Sequence, residues 1–187
     1  MFLDTLNELP VFDQKSAEER AIIWKFRHFQ STKAHLLPKF LVAVDWSKSE
    51  TREEAIDMMP KWAQIGLQQV LSMLSGLFGL NNDHPHISVL KTELLTSETS
   101  AAFLEIRKHA VEALKFEVPE EQLELILLQL VQALRYEDTS HSSGLRTFLF
   151  DKATSNQKIA HSLFWSLKLE AANEGNSKHI CAMFQQV

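Results

Sequence analysis

One cysteine, Cys181, stands in a chain of 187 residues, so no disulfide can close within it. A lone thiol fits a reducing compartment. Glycine and proline number five each. Both residues punctuate structure, so their scarcity leaves few tight turns and favours long uninterrupted elements, which suits helices and not an all-β fold. No run approaches the ~18 consecutive apolar residues of a membrane-spanning helix. Basic residues are in deficit, and 19 Lys and Arg against 24 Asp and Glu give a formal net charge of −5. That balance excludes a general nucleic-acid binder, which needs a basic face to displace counterions. Met1 to Pro10 carries Asp4 and Glu8 without a basic stretch, unlike a secretory signal. These absences imply a soluble intracellular domain.

Catalytic motifs are missing too. The sequence holds no GxGxxG or GxxxxGK[ST] phosphate cradle, no HRD or DFG, no HExxH and no CxxC. What is present is apolar periodicity, with 45% hydrophobic and 23% charged residues to build a core and a surface.

Ser16 and Glu19 stand at capping-box spacing before a helix over 17–29, in which Ile22, Ile23, Phe26 and Phe29 recur. A second helix over 33–44 aligns Leu36, Leu37, Phe40, Leu41 and Val44. Thr51 and Glu54 form another capping-box pair, and Pro60 predicts a break. Leu67 to Leu80 reads as a helix. Residues 81–98 read as a loop or insertion. A helix follows over 101–116, with Phe103, Ile106, Ala110 and Leu114 inward. The next begins at Pro119 and runs to Tyr136. Its apolar residues, Leu125 and Leu128 included, lie nearly all round, which predicts burial on both sides. Leu145 to Ala153 forms another helix, and Ser155 is placed to cap the last long one. A short closing helix would hold Ile180, Met183 and Phe184. The expected architecture is all-α: stacked antiparallel helix pairs in one domain over 1–187, forming a right-handed α-α superhelix of the ARM/HEAT kind.

Several clusters have a chemical and a plain reading. Asp83, His84 and His86 share ligand chemistry, but a closed zinc site wants four ligands and no fourth is apparent, so they read as a solvated turn. Glu105 and His109, four apart, can meet as an acid–base pair or as a surface contact. His161 sits four residues before Trp165 and reads as hydrogen-bonded in a helix interface. Cys181 with His179 lies on one short element where side chains two apart diverge, so Cys181 reads as packing. Lys25, Arg27, Lys33, Lys39, Lys152, Lys158 and Lys168 are scattered. Lys33 and Lys39 near Trp24 and Trp46 would suit a membrane-surface face, but a solvated face fits the acidic charge better. No catalytic, cofactor-binding or metal-ligating residue is assigned.

Two segments resemble a known family. LLQLVQALRYE (Leu127–Glu137) and LRTFLFDKATSNQKIAHSLFWSLKLE (Leu145–Glu170) look like the accessory helical domain of phosphatidylinositol 3-kinases, with its "QLVQALKYE" and "NxxIaHxlFWxLkxE" helices. IWKFRHF (Ile23–Phe29), LPKFLVAVDW (Leu37–Trp46), KWA (Lys61–Ala63) and IRKHAVEAL (Ile106–Leu114) extend the likeness over 20–173. The WKFR form is most similar to class III, the vacuolar-sorting type. The family's short Asn-Pro link is absent, and 81–98 stand in its place.

The resemblance implies a non-catalytic scaffold that packs against C2 and kinase domains and a regulatory subunit. ATP and magnesium would belong to the kinase domain, and nucleic acid would play no part. The full-length protein would be cytoplasmic and peripheral to endosomal membranes, with membrane contact indirect. It also implies packing roles for Tyr136, Phe164 and Trp165, and helix-end roles for Asn156 and Glu137. A buried Trp165 would cost about 3–5 kcal/mol on truncation to Ala. Other readings are a free-standing helical-repeat adaptor and the helical domain of a phosphatidylinositol 4-kinase.

Overall fold

The computed structural model describes residues 16–75, 78–80, 97–137, 143–172 and 180. Every regular element among them is helical, so the fold is all-α. In chain order the α-helices are α1 (Ala17–Lys25), α2 (Arg27–Gln30), α3 (Leu37–Ala43), α4 (Ser49–Met58), α5 (Leu67–Leu74), α6 (Ser97–Glu117), α7 (Glu120–Ala133), α8 (Leu145–Ser155) and α9 (Gln157–Ala172).

The start of α1 follows its sequence signal. Ser16 Oγ accepts from the Glu19 N–H at 3.2 Å, and the Glu19 carboxylate accepts from the Ser16 N–H at 2.7 Å. The helix bends at Phe26 and resumes at once, because the Phe29 and Gln30 N–H groups both donate to the Phe26 carbonyl at 3.1 Å. The helix expected over 33–44 is divided. A 3₁₀ turn at Ala34–Leu36 precedes α3, where Pro38 sits in the first turn and cannot donate back to the preceding one.

The Thr51–Glu54 capping box does not form. α4 already starts at Ser49, and the Thr51 hydroxyl donates to the carbonyls of Asp45 (2.5 Å) and Lys48 (3.1 Å). Glu54 instead meets Arg27 at 2.6 Å. The break at Pro60 is present: α4 stops at Met58 and a 3₁₀ turn follows. α5 ends at Leu74, short of the expected Leu80.

α6 begins at Ser97, so residues 97 and 98 belong to a helix rather than to the loop. Glu98 lies in its first turn, where the helix dipole favours an acid, and Arg52 of α4 pairs with it at 2.5 Å. Residues 81–96, with Asp83, His84 and His86, lie outside the described residues, as do His179, Cys181, Met183 and Phe184. Ile180 is buried.

Pro119 stands just outside α7, at its N-cap. Gly144 precedes α8 at φ +88°, a left-handed conformation that favours glycine. α9 is capped by Asn156 rather than Ser155. Asn156 Oδ1 accepts from the N–H groups of Lys158 (2.9 Å) and Ile159 (3.3 Å), while Ser155 closes α8.

Polar contacts fix the directions of the last three long helices. Asn156 Nδ2 donates to Glu120 at 2.9 Å, joining the starts of α9 and α7. Gln132 Nε2 donates to Glu170 at 2.8 Å, joining their ends. The two therefore run parallel. α7 and α9 pack directly on each other, α8 packs on α9, and its Lys152 reaches Glu120 at 3.6 Å.

Buried apolar residues from Ile23 to Ile180 form one cluster. α7 contributes a single stripe of Leu123, Ile126, Leu127, Leu130 and Val131. The expectation that α7 is buried on both sides fails, since Leu125 is 80% exposed and Leu128 is also at the surface. Apolar identity at these two positions does not mean that this chain supplies a neighbour.

Candidate functional site

The motif residues of the N-terminal part converge on one aromatic stack. Phe40 of α3 is fully buried, and Trp24 and Trp62 both stack on its ring, at 5.8 Å and 5.0 Å between centroids. Arg27 covers Trp24 at 4.6 Å from its ring centroid. Trp62 Nε1 donates to the Lys33 carbonyl at 2.9 Å, and the Ala63 N–H to the Ser31 carbonyl at 2.8 Å. The stack thereby sews the Pro60 break onto the α2–α3 connection. Trp46 is buried separately and donates to the Leu41 carbonyl at 3.0 Å.

Further along, the arrangement is polar. Arg107, in the middle of α6, has no exposed surface. Its guanidinium donates to the Leu74 carbonyl at 2.7 Å and to the Ala133 carbonyl at 3.0 Å. These are the last residues of α5 and α7, whose terminal carbonyls lack intrahelical partners and carry the negative end of the helix dipole. Glu137 supplies the counter-charge at 3.5 Å and accepts from the Ser143 hydroxyl. Burial lowers the Arg107 pKa from its usual value, and the Glu137 carboxylate opposes that shift. The group stays charged, because arginine does not lose its proton in proteins. A second knot lies nearby. The buried carboxylate of Glu170 accepts from Gln132 and from Arg135, the latter at 2.5 Å.

Arg107 and Glu170 fall inside the segments that resemble the family, and no role is assigned to either from the sequence. Their positions carry a signal: Phe103, Arg107, Ala110 and Leu114 share one stripe, as do Leu163, Leu167 and Glu170. A charged residue inside an apolar stripe is a buried residue in need of partners.

Other candidates fall elsewhere. Glu105 pairs with Lys108 at 2.8 Å. His109 helps line a shallow cleft of about 220 Å³ with Pro60, Trp62, Ile65 and Phe116. Lys39 and Trp46 are buried, so they form no surface with Lys33 and Trp24, which are half-buried. No group of three or more metal-ligating side chains occurs among the described residues.

Trp165 corrects a packing expectation, for it is 51% exposed. Its indole N–H donates to His161 Nε2 at 3.0 Å, which places the proton of neutral His161 on Nδ1. Phe164 meets it edge-on at 5.5 Å, and Lys168 lies 4.7 Å from its ring. Leu169 is also exposed. The His161–Trp165 pair is exposed on α9 and does not lie in a helix interface among the described residues.

Residues 3–83 and 79–187 match the phosphoinositide 3-kinase family, accessory domain (PIK domain). The chain belongs to this family. The accessory domain is 32% identical over 182 residues to phosphatidylinositol 3-kinase pik3 of Schizosaccharomyces pombe, covering 94% of this chain and 20% of that protein. It is 33% identical over 170 residues to phosphatidylinositol 3-kinase VPS34 of Arabidopsis thaliana, covering 91% and 18%. With phosphatidylinositol 3-kinase catalytic subunit type 3 of Caenorhabditis elegans it shares 27% identity, covering 99% and 23%. The accessory domain thus spans about a fifth of the length of these relatives. These relatives, VPS34 among them, agree with the class III likeness of WKFR.

Proposed function

We propose that this accessory domain is the non-catalytic spine of a phosphatidylinositol 3-kinase, holding C2 and kinase domains and a regulatory subunit in the arrangement needed to phosphorylate phosphatidylinositol. The observation that carries the reading is the outward side of α7 and α9. Leu125, Leu128, Trp165 and Leu169 expose large apolar side chains on two parallel helices. Large exposed apolar side chains on two helices that pack together suit an interaction site. Two of the four lie in the segment that matches the family's FWxLkxE pattern.

The relatives' names supply the chemistry. Each of the three is called a phosphatidylinositol 3-kinase, and four-fifths of each lies outside the match. ATP and magnesium belong to that other part of the parent protein. The parent is cytoplasmic and associates peripherally with endosomal membranes.

The test is a paired substitution, Trp165→Ala with Leu169→Ala, placed in the parent protein. Lipid phosphorylation is expected to fall by about tenfold or more, the loss of one interfacial hot spot. The 187-residue chain with the same changes is expected to keep its melting behaviour and, like the unsubstituted chain, to turn over neither ATP nor lipid. Full activity in the paired variant would refute this placement of the docking face. A reading frame without a kinase domain would instead favour a free-standing adaptor that uses the same face.

A further inference from the structure

The bend between α1 and α2 carries a second apolar patch, separate from the α7–α9 face. Phe26 is 39% exposed and Phe29 is 63% exposed. They stand three residues apart on one turn, joined by the Phe29 N–H bond to the Phe26 carbonyl. Each ring has a lysine over it: Lys25 Nζ lies 5.8 Å from the Phe26 centroid, and Lys33 Nζ lies 5.6 Å from that of Phe29. Glu54 and Arg27 on this corner neutralise each other at 2.6 Å, with the His28 imidazole 3.9 Å from the same carboxylate. Glu18 and Glu19 sit at the far end of α1, about 10 Å from Lys25 along the axis. Lys25 and Lys33 are the charges set over the two rings although the chain is acidic, and the nearest charges decide, because salt screens those beyond ~8–10 Å.

We infer that this corner is a direct contact for an anionic phospholipid surface. The two rings together expose about 200 Å², the area of one aromatic side chain. That is well short of the ~800 Å² per partner of a stable protein interface. Protein interface cores are also depleted in lysine. Rings that enter the headgroup region while ammonium groups stay at the phosphates suit a bilayer instead. The contact is direct, in place of the indirect one that the resemblance implied.

The test is flotation of the 187-residue chain with phosphatidylcholine vesicles and with vesicles of phosphatidylcholine plus phosphatidylserine. The chain is expected to float with the second and not the first, and to release as salt rises. Phe29→Ser alone should reduce the bound fraction about fivefold, and Phe26→Ser with Phe29→Ser about tenfold. Lys25→Glu and Lys33→Glu should each reduce it about fivefold or more, since each lysine near an anionic surface is worth ~1 kcal/mol. Circular dichroism checks that the variants fold. Three results overturn the inference. In one, wild-type chain shows no preference for anionic vesicles. In another, Phe29→Ser and the lysine variants bind as wild type does. In the third, the chain self-associates in sedimentation, Phe29→Ser disperses it, and no vesicle binding accompanies the effect; the corner is then a contact between copies.

Discussion

The Phe40 stack and the Arg107 and Glu170 knots share one apolar core but are held by different physics. Around Phe40, three rings and a guanidinium stack, and the gain is burial and dispersion, which forgive small changes of shape. Around Arg107 and Glu170, directional contacts join charges to carbonyls and carboxylates in the dry interior. A polar network of this sort is costly when any member is missing. Both regions supplied motif residues to the family resemblance. Membership in a motif thus says that a position matters, and says nothing of whether it acts by packing, by hydrogen bonding or by facing outward as Trp165 does.

Substitutions separate the two modes, and urea denaturation of the 187-residue chain measures them. Arg107→Ala should have the largest effect, about 5 kcal/mol, because it strands Glu137 and two helix-end carbonyls in the interior. Arg107→Met with Glu137→Leu should recover part of that loss by removing both charges, and a double variant no better than the single one would sink the ion-pair account. Phe40→Ala should cost about 4 kcal/mol as a cavity opens between Trp24 and Trp62, with no such rescue by a second change. Glu170→Ala should cost about 2–3 kcal/mol, leaving Gln132 and Arg135 without that acceptor. Asn156→Ala, which removes the cap of α9, should cost about 1 kcal/mol. Trp165→Ala should cost less than about 1 kcal/mol, since half of its side chain already meets solvent. A cost near that of Phe40→Ala would show that Trp165 stiffens α9 from outside.

The helices themselves were legible because apolar residues recur at 3.6-residue spacing, and that spacing is set by the backbone. The capping box at Ser16 was legible for the same reason, being local. The Thr51–Glu54 pair had equal spacing and failed, because Arg27 from another helix claimed Glu54 and Asp45 offered Thr51 a carbonyl. Ser155 lost the cap to Asn156, whose longer amide side chain reaches two N–H groups at once. Leu125 and Leu128 misled because periodicity reports which residues avoid water and not which polypeptide covers them. Arginine is rarely fully buried, so the type of Arg107 argues for the surface, while its place in the Phe103–Leu114 stripe argues for burial.

The Arg107 guanidinium spans two helix ends from different parts of the sequence. Fraying of either last turn exposes a charge that the other turn also depends on. Amide hydrogens at the ends of α5 and α7 should therefore exchange with deuterium at a common rate, as one cooperative unit. A tether of this kind makes the last turns of α5 and α7 open together or not at all.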